Sequence, residues 1–279
     1  MFILFGCTVL LIFLFAFIQG LTEFLPISSQ GHLITFNFVF NLNYLSGISI
    51  LEANVLAHAG SLFAILFYYH STTKNILFSI KNILRPDIEK HASLLIFLIF
   101  STIPVILAGY FFGKYFDYDN SKMLLIIGFS SIIFGLLLFA IDKFCLLVKN
   151  FDNMNLKSSI VIGAFQCLAL VPGVSRSGAV LTVMRAAGFN RDFSVFYSNM
   201  LSIPVLFGAI TYLLSSNSYA FFLDNITNIY AISIFFLSFF FSIIFIHFLV
   251  VWVSRSSLLI FVVYRILFGL VLLGLVNYF

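Results

Sequence analysis

The sequence predicts an all-α polytopic membrane protein, an inverted repeat with about six full transmembrane helices and two re-entrant helical hairpins. Three observations carry this. The chain is 62% hydrophobic and only 9% charged, where a soluble domain carries roughly 25% charged residues. The basic residues sort into alternate loops, as in a multi-pass helical protein. Two polar strings, 147 residues apart, each follow an apolar arm and share a pattern.

Mean hydropathy is +1.15, and the apolar stretches have helix rather than barrel-strand length. The 39 Phe residues fit lipid-facing positions. A net charge of +4 is no nucleic-acid signature, so nucleic acid is not expected as a partner; the charges report topology instead. Cys7, Cys145 and Cys167 are scattered, without the spacing of a zinc or disulfide framework. The first 24 residues lack a basic leader and a small-residue cleavage site, so they read as a retained membrane segment.

Six segments can cross the bilayer, at approximately 53–69, 92–113, 123–141, 194–214, 229–250 and 258–278. Loop 70–91 carries Lys74, Lys81, Arg85 and Lys90 against Asp87 and Glu89. Loop 142–158 carries Lys143, Lys149 and Lys157 against Asp142 and Asp152, and loop 251–257 carries Arg255. Loop 114–122 is balanced, and loop 215–228 has Asp224 and no Lys or Arg. The first three are expected on the cytoplasmic side and the last two outside.

Regions 2–50 and 159–191 remain. The second must begin and end in the cytoplasm, yet its first arm, 159–171, has 13 residues and is too short to cross. A broken helix pair that enters and returns on one side resolves this. The same logic makes region 2–50 a hairpin from the outside, although its first arm is long enough to span. Three spans separate the hairpins, and an odd number of crossings inverts one unit against the other. "IQGLTEFLPISSQGH" (18–32) over "FQCLALVPGVSRSGA" (165–179) pairs Gln19 with Gln166, Leu21 with Leu168, Ser28 with Ser175 and Gly31 with Gly178. Downstream, Asn54 meets Asn199 and Leu56 meets Leu201 at an offset of 145. The chain therefore reads as one integral membrane domain over 1–279, with repeat one about 1–145 and repeat two about 150–279. Such repeats place a site near the bilayer midplane, where the tips meet.

The first tip offers Gln19, Glu23, Ser28, Ser29 and His32. Gln19 and Glu23 are four apart and share a helix face; Pro26 ends that helix. A carboxylate at membrane depth faces a partner or a wet cavity. His32 can move a proton near neutral pH, and Ser29 beside it is a candidate nucleophile. The second tip, "PGVSRSG", places Ser175, Arg176 and Ser177 at the start of a helical stretch over 177–188. Hydroxyls, a guanidinium and free N–H groups at a helix start suit an anionic oxygen cluster, phosphate or carboxylate. An ion pair between Arg176 and Glu23 is the structural alternative. Together the tips supply an acid/base pair, a hydroxyl and a phosphate clamp, as phosphoryl transfer requires. Glu23 and a substrate diphosphate could share one Mg²⁺. Arg265 is expected to face the interior; Glu52 and His58 are expected at the cavity mouth, His247 at an interface, and Arg185, Arg191 and Asp192 at the cytoplasmic return.

These two strings resemble the signature motifs of the bacterial undecaprenyl-diphosphate phosphatases, the bacitracin-resistance proteins. "STIPVILAG" (101–109) and "YR" (264–265) look like secondary features of that family, and the resemblance covers essentially the whole chain. It implies a hydrolase that converts undecaprenyl diphosphate to undecaprenyl phosphate, recycling the lipid carrier of peptidoglycan synthesis and conferring bacitracin resistance. It implies residence in the bacterial inner membrane, with the site open to the periplasm. By match to the motifs, Glu23 and His32 would be catalytic and Ser29 the nucleophile. Arg176, with Ser175, Ser177 and Ser28, would bind phosphate, and Glu23 with Gln19 would hold a divalent cation, Mg²⁺ being the expected one. A homodimer is compatible with the resemblance.

Two departures stand out. The first motif commonly starts with Glu, and here Gln19 keeps an oxygen ligand but loses the charge. Val180 stands where Thr is common, so a hydroxyl is lost unless Thr182 replaces it. The competing functions are a carrier that flips polyprenyl phosphate, whose architecture would look the same, and an acid-phosphatase-like lipid phosphatase. The latter lacks its second His, since none follows "SRSG" before His247.

Overall fold

The computed structural model describes residues 2–45, 47–83, 89–112, 120–145, 148–216 and 228–276. The loop charges Arg85, Asp87, Lys114, Asp117, Asp119 and Asp224 lie outside the described residues. Among the described residues eleven α-helices follow in order: α1 (Phe2–Thr22), α2 (Ser29–Val39), α3 (Ile50–Tyr68), α4 (His70–Ser79), α5 (Lys90–Phe112), α6 (Asn120–Phe144), α7 (Leu156–Gln166), α8 (Arg176–Ala186), α9 (Arg191–Ser216), α10 (Ile229–Arg255) and α11 (Leu259–Leu275). The only sheet among the described residues is a two-residue ribbon, Tyr44–Leu45 against Ile48–Ser49, leading into α3. The protein is all-α and polytopic.

Among the described residues five helices, α3, α5, α6, α9 and α10, are long and apolar enough to cross a membrane. The expected sixth span, 258–278, is the shorter α11 of 17 residues, about 26 Å of helix against about 30 Å of hydrocarbon. Loop 70–91 is not all loop, because α4 occupies its first half. Local chemistry sets the ends. Ser49 and Glu52 form a capping box at the start of α3, which makes Glu52 a helix cap rather than a residue of the cavity mouth. Asn155 and Asn228 cap α7 and α10. Exposed Ile99, Ile103, Ile106, Leu107, Tyr110 and Phe111 coat the outer face of α5, as a lipid-facing surface requires.

The helices pair in a recurring pattern. Helix α1 packs on α10 as α7 packs on α5; α3 meets α10 as α9 meets α5; α3 crosses α9, and α6 lies along α11. Exchanging the two halves of the chain reproduces these pairings, which supports the repeat read from the sequence. The seam between α7 and α5 is tight: a Cβ at Gly163 would sit 2.5 Å from the Ser101 carbonyl oxygen, the close approach that small residues permit between apolar helices. Helices α2, α7 and α8, at 11 residues each, rise only about 17 Å and cannot cross. The second hairpin is short on both arms. The first has one long arm, since α1 has 21 residues.

At one end of the bundle Asp142, from α6, accepts from Arg185 Nε (2.7 Å), Arg191 Nε (3.0 Å) and the Leu258 backbone N–H (3.4 Å). Arg185 is fully buried. Arg185, expected at the cytoplasmic return, is sealed there by Asp142, which joins α6, α8, α9 and the start of α11.

Candidate active site

Both tips turn on a serine. Ser28 has φ 76° and Ser175 φ 71°, a region costly for a residue with a side chain. Each accepts a hydrogen bond from the backbone N–H three residues on, Gly31 (3.3 Å) and Gly178 (3.2 Å). The strained caps start α2 and α8 at matching points. Gly173, at φ 91°, is required in the second tip: a Cβ there would strike Ser130 Oγ and lie 2.8 Å from Ile127 Cα.

Side chains lock the tips together. Ser177 donates to the Leu25 carbonyl (2.8 Å). Arg265, fully buried on α11, donates to the carbonyls of Gly173 (3.0 Å), Ser131 (3.3 Å), Pro26 (3.4 Å) and Ser130 (3.5 Å). The expectation that Arg265 faces the interior holds, and its role is a cross-brace. A buried cation without a carboxylate needs such carbonyls.

Between the tips lies a pocket of about 360 Å³, lined in part by Glu23, Ser28, Ser29, Ser175, Arg176 and His58. Glu23 is its buried carboxylate. One oxygen, Oε2, accepts from Ser29 Oγ (2.8 Å) and Gln19 Nε2 (3.1 Å), and lies 3.4 Å from His58 Nδ1. Glu23 Oε1 is 3.8 Å from Arg176 Nη2, too far for a hydrogen bond. Arg176 is held by one donation, Nη1 to the Ser198 carbonyl (3.1 Å), while its buried Nε and Nη2 have no partner. The expected ion pair between Arg176 and Glu23 is thus present at 3.8 Å, but it leaves the guanidinium's Nε and Nη2 without hydrogen-bond partners. The guanidinium has donors in reserve.

Three expectations need correcting. His32 was read as the partner of Ser29. Its Nδ1 is instead 2.6 Å from the Ser28 carbonyl oxygen, its Nε2 2.6 Å from Tyr264 Oη, and its ring stacks 4.1 Å from Phe268. The pocket face of α2 is the stripe Gln30, Leu33, Ile34 and Asn37, and His32 falls off that stripe toward α11. Ser177, read as a phosphate ligand, is spent on Leu25 and Ser175 and stands outside the pocket lining. Thr182 does not replace the hydroxyl missing at Val180: it donates to the Gly178 carbonyl (2.7 Å), and both side chains are buried. Ser28 and Ser175 do line the pocket, with their hydroxyls engaged as caps.

Sequence reasoning missed Asn37 and Asn54, whose buried Oδ1 atoms lack partners and which line the pocket, and the reach of His58 to Glu23. The only signal was spacing: Asn54 and His58 are four apart, one face of α3.

No three His, Cys, Asp or Glu side chains gather into a metal cage among the described residues. Glu23 offers a carboxylate, and Gln19 Oε1 is buried with no partner. Glu23 lines the pocket and Gln19, fully buried, does not; as a carboxylate and a carboxamide oxygen the pair suits, in chemistry, a Mg²⁺ that takes its remaining ligands from a substrate diphosphate and water.

Fold and site define a class: a polytopic membrane protein whose two helix-hairpin tips set a hydroxyl–carboxylate pair against a guanidinium with hydrogen-bond donors in reserve. The chain belongs to the family described as bacitracin resistance protein BacA, which matches residues 12–271. It is 36% identical to an undecaprenyl-diphosphatase of Pelagibacter ubique over 264 residues, 94% of this chain and 95% of the relative. An undecaprenyl-diphosphatase of Alteromonas mediterranea is 33% identical over 271 residues, 95% and 97% of the two chains. Undecaprenyl-diphosphatase 3 of Bacillus cereus is 34% identical over 198 residues, 71% of each.

Proposed function

We propose that this protein is an undecaprenyl-diphosphatase, hydrolysing undecaprenyl diphosphate to undecaprenyl phosphate and inorganic phosphate. The observation that carries the reading is the set of idle donors on buried Arg176 facing the Ser29–Glu23 pair across one pocket. A lipid carrier has no use for an activated hydroxyl, whereas phosphoanhydride hydrolysis does. The family and the names of its relatives support the same substrate.

Arg176 and the N–H groups at the start of α8 bind the terminal phosphoryl oxygens. Ser29 Oγ attacks the terminal phosphorus as its proton passes to Glu23 Oε2, 2.8 Å away. The bridging P–O bond breaks, its electron pair leaving on undecaprenyl phosphate. Water then hydrolyses the phosphoserine, releasing phosphate and returning the proton to Ser29. The geometry favours Ser29 over a water activated by His32, because both ring nitrogens of His32 are engaged away from the pocket. His32 then acts by holding the Ser28 carbonyl, and with it the tip. Glu23 and Gln19 would hold a Mg²⁺, which when bound supplies charge neutralisation on the diphosphate. The site opens to the external face of the bacterial inner membrane, on the strength of the loop charges.

Purified protein in detergent micelles should release phosphate from undecaprenyl diphosphate, and acid quench of a single turnover with terminally labelled substrate should trap label on Ser29. No release by the wild type would overturn the activity. Full turnover by Ser29→Ala without trapped label would overturn the nucleophile.

A further inference from the structure

Helix α3 forms a wall of the pocket that the two hairpins do not account for. Its residues Asn54 and His58, one turn apart, line the cavity beside Glu23 and Arg176. His58 is anchored on one nitrogen only: Gln19 Nε2 approaches Nδ1 at 2.9 Å, and Glu23 Oε2 lies 3.4 Å from it. Donation from the Gln19 amide makes Nδ1 the acceptor, which leaves the ring proton on Nε2. That Nε2 makes no hydrogen bond to any described residue, and the side chain keeps 22% of its surface exposed. Gln19 is itself fixed, fully buried and within 3.3 Å of Ser61 Oγ on the same helix. Asn54 adds a buried carboxamide oxygen without a partner. Orphaned polar groups facing a cavity are what a polar ligand leaves behind in its absence.

We propose that His58 is a further substrate-contacting residue, its Nε2–H donating to a phosphoryl oxygen opposite Arg176, with Asn54 hydrogen-bonding the same headgroup. The two guanidinium donors and the imidazole donor then grip the diphosphate from opposite walls. Charge developing on the phosphoryl oxygens strengthens that bond in the transition state, so the effect falls on kcat more than on KM. This rests on the diphosphatase reading above. It also gives Gln19 a task suited to an amide: a carboxamide N–H donates to Nδ1 and sets the tautomer, which a carboxylate at this position could not do.

The test is a set of four substitutions in the full chain, assayed for phosphate release from undecaprenyl diphosphate. His58→Ala should lower kcat about 10–100-fold with KM changed less than about threefold, in the range of one lost transition-state donor. His58→Gln, whose carboxamide nitrogen reaches the Nε2 position, should recover kcat to within about fivefold of wild type. His58→Asn, which offers a group only at the Nδ1 position, should stay as low as Ala. Asn54→Ala should raise KM several-fold. If His58→Asn recovers and His58→Gln does not, His58 merely holds Glu23 and the proposal is wrong; it is equally wrong if His58→Ala keeps wild-type kcat. Silence of the wild type itself would instead fault the diphosphatase reading. Should His58→Ala fail to fold, the Gln and Asn pair decides alone.

Discussion

The two hairpin tips share a backbone and divide the chemistry. Ser28 and Ser175 have the same positive φ, cap helices of equal length and lie at matching points of the repeat. Yet the residue after the cap is Ser29 in one and Arg176 in the other, and only Ser29 hydrogen-bonds the Glu23 carboxylate, which Arg176 approaches to 3.8 Å. In the proposed reaction a duplicated scaffold thus carries a hydroxyl–carboxylate half, Ser29 with Glu23, and a guanidinium half, Arg176. Strain is retained at both serines because it aims each helix start into the common pocket. What diverged is the side chain that the start presents.

Breaking the first tip should cost most. Glu23→Gln removes the proton acceptor of Ser29 while keeping its shape, and phosphate release should fall about 10²–10⁴-fold, the usual weight of a general base. Steady-state assays against wild type of equal unfolding midpoint would read this. Breaking the second tip comes next: Arg176→Ala should lower kcat/KM about 10²–10³-fold. Arg176→Lys should restore only part, because an ammonium cannot present the guanidinium's planar fork. Equal activity of the Lys and Arg forms would show that charge alone suffices.

The joint between the tips can be tested apart from either. Arg265→Met strands carbonyls from both hairpins and should destabilise the protein by about 2–4 kcal/mol, read as a lowered thermal midpoint in detergent together with lost activity. The caps themselves sharpen the comparison at finer scale. Ser28→Gly and Ser175→Gly each relieve a strained φ but lose a side-chain acceptor, so each should shift stability by no more than about 1 kcal/mol. A large asymmetry between them would mean that the tips are not equivalent in backbone energetics. Smallest of all, Thr182→Val should leave KM unchanged, since that hydroxyl bonds its own helix rather than the pocket.

These contrasts also mark what the sequence could and could not disclose. Apolar run length and loop charge yielded the spans, because both are properties of contiguous residues. The hairpin tips were legible because Pro, Gly and hydroxyl residues punctuate them locally. Arg176 and Glu23 stood out as charges in apolar surroundings. What failed were orientations decided by distant partners. His32 looked reactive because it is near Ser29 in sequence, but Tyr264 and Phe268, over 230 residues away, turn the ring aside. His58, expected at the cavity mouth, does line the pocket, but its approach to Gln19 and Glu23 was hidden because they belong to another helix. Arg185 could be placed at the cytoplasmic return, but its burial against Asp142, 43 residues earlier, gives no local sign. Single-sequence reading gives residue types at a depth; which face each presents is set by tertiary packing.

Arg265 has a consequence for the order in which the protein becomes active. It sits on the last helix of the chain, yet it ties Pro26 of the first tip to Gly173 of the second. During synthesis both motifs leave the ribosome and enter the membrane well before this helix does. The nascent protein therefore holds every reactive side chain of the pocket while lacking the clasp between its halves. The clasp can close only when the final helix seats against α6.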